Sequence, residues 1–323
     1  MAVTVYSSAD ANGPGPLANA AGWMVSILDA CLVNGYAGKP AAGWTKPFSS
    51  STTLAVYKQG TGGSNRYLRV DDALAGYSRV VGYEDMTDVN TGTAPFPTAA
   101  QLSGGGYWHR HNGAAGTRPW FVIADSKSFY FWSQYSTAVS GSEAAFYFFG
   151  DTKSLKPADA FSTMLMAADG TTKIAAVQTS NDHGGAVSAL NIGLKGHFMV
   201  RSYTGAGSSI VVGKHAESFR INKSGCADLN SYGYAWLWSL YTTANFPSPV
   251  DASMTLAPII VHETPQVDRA FMPGLWTPAH IDTVLGNTDT FTSNAGVHNG
   301  KSFLALRAQG GMYTIETSDT WWS

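Results

Sequence analysis

Charge is what this sequence has least of. Asp, Glu, Lys and Arg make up 13 % of its 323 residues, against roughly 25 % in an average soluble domain. Long apolar runs are missing as well. The longest, such as Ala257–Val261 and Phe146–Phe149, fall far short of the ~20 residues a bilayer-crossing helix needs. A membrane span therefore does not account for the shortage of charge, and no membrane partner is expected. With a net charge of −2 and no cluster of basic residues, the electrostatic footprint of a nucleic-acid binder is absent too. Cys31 and Cys226 are the only cysteines, which excludes a disulfide framework and a cysteine metal knuckle. They read as two inert thiols, with a single long-range disulfide as the alternative. Met1–Tyr6 has neither a basic start nor an apolar core, so no export signal is expected and folding in a reducing cytosol fits.

What is there is apolar and aromatic. Hydrophobic residues reach 44 %, enough to build a large core and to exclude disorder. Trp23, Ile27 and Cys31, with Met24, Leu28 and Leu32, recur at helical spacing, and Asn34-Gly35 supplies a stop. The pattern predicts one helix, about Asn19 to Val33. Its Trp23, Ile27 and Leu28 are expected to pack on a sheet. Almost everything else reads as strand and turn. The N-terminal half offers 3–5, 54–57, 67–70, 79–83, 120–123, 129–132 and 146–149. The other half offers 174–177, 197–203, 210–212, 234–241, 256–262 and 303–306, with 136–142, 204–207, 245–249 and 271–274 as connections. Phe129-Tyr-Phe-Trp132 and Phe146-Tyr-Phe-Phe149 are apolar on successive residues, so both faces of these neighbouring strands should be covered. The expected fold is mainly β, with sandwich- or barrel-like domains and one N-terminal helix. The chain divides into 1–160 and 161–323 or forms a single domain.

Catalytic and ligand signatures are scarce. In Trp108-His109-Arg110-His111 the two histidines stand two residues apart, which on a strand puts them on one face. Further ligands at metal spacing are missing, so a polar strand edge or an inter-subunit contact is the expected role of His109 and His111. Asp71-Asp72, Glu84-Asp85, Asp125, Asp151 and Asp159 are the notable carboxylates, but no spacing proposes the paired acids of a glycosidase. Glu84-Asp85 reads as solvated, and Asp125-Ser126-Lys127-Ser128 reads as a hairpin turn. No nucleophile elbow occurs, and Gly296–Ser302 is one residue short of a phosphate-binding loop. No enzyme activity, metal or cofactor is expected. Trp321-Trp322 near the C-terminus is placed either on the body of the chain or on a neighbour. The notable expectation is that deleting the pair impairs assembly more than folding.

Trp23–Leu32 followed by Asn34-Gly-Tyr36, Lys39-Pro40 and Gly43-Trp-Thr-Lys-Pro-Phe48 resembles the start of a family of tailed-phage virion proteins. Arg69-Val-Asp-Asp72, Gly82-Tyr-Glu-Asp-Met86 and Phe148-Phe-Gly-Asp151 with Lys156-Pro-Ala-Asp-Ala160 extend the likeness. Pro273-Gly-Leu275 with Trp276-Thr-Pro-Ala-His280, then Phe303-Leu-Ala-Leu306, carry it toward the C-terminus. The resemblance implies a structural virion subunit, in the tail or baseplate, whose partners are copies of itself and other virion proteins. It brings no catalytic residues. Capsid decoration, a receptor- or glycan-binding module using exposed aromatics on a host-surface glycan, and a cell-envelope hydrolase are the alternatives, in that order.

Overall fold

The computed structural model describes residues 2–134, 144–168, 196–215, 255–263, 267–279, 285–308, 311–319 and 321–322. The expected strands at 174–177 and 234–241, the 136–142 loop, the 245–249 connection, Cys226, His183 and His280 lie outside them. Strand β1 (Thr4–Ser7) opens the fold, and helix α1 (Trp23–Leu28) continues as a π-helical turn over Asp29–Asn34. Strands β2 (Thr45–Ser51), β3 (Leu54–Lys58), β4 (Tyr67–Asp71), β5 (Tyr77–Asp88), β6 (Thr91–Phe96) and β7 (Gly106–His109) form the smaller sheet. Its order is β2-β3-β4-β5-β6, with β7 also paired to β5.

The larger sheet follows: β8 (Trp120–Ala124), β9 (Ser128–Gln134), β10 (Ala144–Asp151), β11 (Lys153–Ser154), β12 (Thr163–Met166) and β13 (His197–Met199). It continues with β14 (Ser209–His215), β15 (Thr255–Glu263), β16 (Val267–Ala279), β17 (Thr290–Thr292), β18 (Ser302–Ala308) and β19 (Gly311–Glu316). The order is β1-β8-β9-β10-β12-β13-β14-β15-β16-β19-β18-β17, with β11 beside β16. All pairings are antiparallel, and Phe149↔Leu165 carries the sheet without a break past residue 160.

Alternation along β9 and β10 separates two cores. Phe129, Phe131, Tyr147 and Phe149 point to a core shared with α1 and the smaller sheet, which holds Met24, Ile27, Leu28, Cys31, Val70 and Val80. Tyr130, Trp132, Phe146 and Phe148 point the other way, onto Ile259, Val261, Leu304, Leu306 and Ile315 from the far half of the same sheet. The larger sheet therefore curls until β10 faces β18, giving three β layers with the aromatic hairpin in the middle. Both faces of that hairpin are covered, as its unbroken apolar runs demand. Phe146 lies opposite Trp132 and Phe148 opposite Tyr130, so the two aromatic runs are direct neighbours. The turn before β9 forms as expected: Asp125 Oδ1 accepts the Lys127 and Ser128 amides, each at 2.8 Å.

Three expectations need correction. The helix starts at Trp23, not Asn19, and the Met24 amide in its first turn is capped from outside by Asp72, the residue that follows β4. The 197–203 strand ends at Met199. The 271–274 segment is not a connection but the middle of β16, whose register against β15 jumps between Ile260↔Phe271 and Pro258↔Trp276. Pro273-Gly274 makes this bulge, not a chain reversal. Gly274 has φ +63°, and a Cβ there would lie 2.1 Å from the Trp321 indole, so only glycine fits.

Candidate functional site

The histidine pair does not reach the surface. His109 and His111 are 4 % and 1 % exposed, which corrects the expectation that they meet a neighbouring subunit. The Gly113 amide donates to His111 Nδ1 at 3.0 Å, leaving Nε2 to donate to the Gly116 carbonyl at 2.9 Å. Burial pushes the His111 pKa down, which fits this neutral ring with both nitrogens used. The His109 amide donates to the Tyr147 hydroxyl, tying β7 to β10. Among the described residues no three His, Cys, Asp or Glu side chains converge to hold a metal.

The residue between them matters more. Arg110 and Asp72 are fully buried. Asp72 Oδ1 takes Arg110 Nη2 at 2.6 Å and the Ser78 hydroxyl at 2.7 Å, while Oδ2 accepts the Met24 amide at 2.7 Å. The carboxylate from the end of β4 thus caps α1, a task its own N-cap, Gly22, lacks a side chain to perform. Arg110 also donates to the Ala20 and Leu74 carbonyls. Burial pushes the Asp72 pKa up, against the pull of Arg110 and Ser78.

Asp151 is held by neutral donors: Gln59 Nε2, the Ser64 amide and hydroxyl, and the Thr163 hydroxyl. Asp159 and Glu263 share one cation. Arg269, on β16, donates from Nε to Asp159 at 2.8 Å and from Nη1 to Glu263 at 2.8 Å, with all three side chains at most 4 % exposed. Glu263 then accepts the Tyr203 amide. Burial raises the Asp159 pKa, but the bonds from Ser154, Arg269 and the Phe161 amide outweigh it and hold the group below its ordinary value.

Glu84, expected to be solvated, is instead gripped by Arg201 at 2.6 Å and Arg66 at 3.4 Å. Both guanidiniums sit against the Phe161 ring, at 4.7 and 5.7 Å. Asp72, Glu84, Asp151, Asp159 and Glu263 therefore tie segments together. Arg110 and Arg269 were not singled out in the sequence. No local signal marks them, since Arg110 stands between two histidines and Arg269 follows Asp268.

Trp321 belongs to the body of the chain. It is 1 % exposed, sits in the core inside the curl, and donates to the Glu316 carbonyl at 2.7 Å. Trp322 donates to Asp125 Oδ2 and lies under the Lys127 ammonium at 4.4 Å. Burial raises the Asp125 pKa, which the Trp322 bond opposes. Removing the pair thus strips an indole from a core, so a loss in folding is expected beside any loss in assembly.

Two surface features remain. β2, β6 and β17 end their sheets and are mostly exposed, and Lys46 is their single charged residue. The outer face of α1 and the π-helical turn borders an open groove of about 770 Å³, whose lining includes Asn12, Trp23, Ser26, Asn34 and Tyr36. No family model matches this chain, and no curated protein matches it.

Proposed function

We propose that this chain is a structural subunit of a tailed-phage particle, seated in the tail or baseplate and working through contacts, not catalysis. The distribution of its few charges carries this reading. Asp72, Arg110, Arg118, Asp125, Asp151, Glu263, Arg269 and Glu316 are buried, so these eight charges are spent inside the fold and none of them serves its surface. The exposed end strands β2, β6 and β17 carry only Lys46, itself paired with Asp29 at 2.7 Å. Free-standing proteins protect such edges with charged side chains. A subunit whose edges are covered by its neighbours has no need of them, and charge there would cost desolvation energy on assembly. The likeness to tailed-phage virion proteins supports the same assignment.

Gold-labelled antibody against the chain, applied to purified particles, tests it. Label on the tail or its tip is expected. Label over the head would move the subunit to capsid decoration, and unlabelled intact particles would overturn the reading. Thr93→Lys on β6 sharpens the test: the isolated chain should melt as before while incorporation into particles drops.

A further inference from the structure

The groove along α1 has a composition that selects its ligand. From Trp23 to Asn34 the helical segment spans about 16 Å at 1.5 Å per residue. Trp23, Ser26 and Asn34 lie on the side of it that faces the groove. Trp23 is half-buried, one side packed on the core beneath α1. Among the described residues nothing accepts its indole N–H, and the side chains of Asn12, Ser26 and Asn34 are likewise without partners. Tyr36 adds a second ring, held by its hydroxyl bond to Asp10 at 2.7 Å and backed by Gly13, where a Cβ would come within 3.3 Å of it.

The charges in the lining cancel. Lys46 and Asp29 bind one another at 2.7 Å, and the other Asp29 oxygen accepts the Tyr57 hydroxyl at 2.9 Å. A phosphate, a nucleic acid or a divalent cation would find no net field here. A hydrophobic helix would bury the free amides and hydroxyls against nothing that bonds them. A neutral polyhydroxylated chain fits both facts: its ring faces stack on indole and phenol, and its hydroxyls meet the free amide and hydroxyl groups. The walls are fixed by the Lys46–Asp29, Tyr57–Asp29 and Tyr36–Asp10 bonds, so little ordering accompanies binding.

We propose that this groove binds a neutral oligosaccharide, with Trp23 as the stacking platform and Asn12, Ser26 and Asn34 as its hydroxyl partners. The test is an array of neutral hexose and N-acetylhexosamine oligosaccharides probed with the full chain, followed by calorimetric titration of whichever binds. Ser26 is exposed, so Ser26→Trp fills the groove without touching the core and should weaken binding at least tenfold. Asn34→Ala, also at an exposed position, should weaken it by about three- to tenfold through one lost hydrogen bond. Thermal melts of both variants establish that they fold as the parent does. An array blank for the parent chain overturns the proposal, and so does binding that survives both substitutions unchanged.

Discussion

Arg110 and Arg269 are both fully buried, yet they solve the problem of an interior charge in opposite ways. Arg110 meets one acid, Asp72, whose second oxygen is spent on the start of α1, and the Nη1 group of Arg110 has no hydrogen-bond partner among the described residues. Arg269 meets two acids, and all three of its nitrogens are bonded, one of them also to the Phe161 carbonyl. The first site is neutral and incompletely bonded. The second carries one excess negative charge and is offset by amides from Tyr203 and Phe161. Asp72 and Asp159 each accept two arginine nitrogens, a serine hydroxyl and a backbone amide, and what differs is whether these bonds outweigh the cost of burial. The carboxylate with the surplus neighbour, Asp159, is the one whose pKa is lowered, while Asp72 is raised.

Removing each cation should separate the two sites most widely. Arg269→Met strands two buried carboxylates at once and should cost about 3–5 kcal/mol. Arg110→Met strands one carboxylate that is already biased toward its neutral form and keeps its bonds to Ser78 and Met24. Its cost should be smaller, about 2 kcal/mol. Urea unfolding with unchanged slope measures both. Equal losses would break the comparison.

The pH dependence sharpens it by sign. Asp159 has a lowered folded-state pKa, so its contribution is complete above the ordinary carboxylate value of about 4 and is lost as pH falls through the folded value. Asp72 has a raised one, so its contribution is complete below about 4 and is lost as pH rises through the folded value. Melting temperatures of Arg269→Met should therefore show a shallower acid loss than the parent, and those of Asp72→Asn a steeper one. Parallel pH profiles for the three proteins would contradict the assigned shifts.

Local patterns were legible in the sequence, and distant partnerships were not. The stripe Met24, Ile27, Leu28, Cys31 and Leu32 repeats at the helical period, and all five are buried. The two aromatic runs announce a doubly covered hairpin, and Asp125 announces its turn. Strand β16 was hidden because Pro273-Gly274 carries the signature of a reversal, while the bulge it makes serves an indole 47 residues further on, Trp321. β2 was hidden by Pro47 and its run of serines. The acid partners of Arg269 and Arg110 could not be read at all: Asp159 is 110 residues from Arg269, and Asp72 is 38 from Arg110. The pairing of β4 and β7 with β5, and of β11 with β16, brings them together. The groove follows the same rule. Asn34-Gly35 reads as a helix stop, and nothing local places Asn12 and Tyr36 beside it.

The smallest expected effect inverts the order of the two sites. Each carboxylate accepts a serine hydroxyl at 2.7 Å, Ser78 on Asp72 and Ser154 on Asp159. Ser78 is fully buried, whereas Ser154 is partly exposed. Water can replace the lost hydroxyl at Ser154 but not at Ser78, where the truncation leaves both a gap and a weaker bond shell around the carboxylate. Ser78→Ala should therefore cost about 1 kcal/mol, and Ser154→Ala less, although Arg269 holds the tighter site. Solvent access then governs the periphery of each cluster, while the number of acids that share the arginine governs its centre. A larger loss for Ser154→Ala in the same urea titrations would show that the Arg269 site depends on all of its members together.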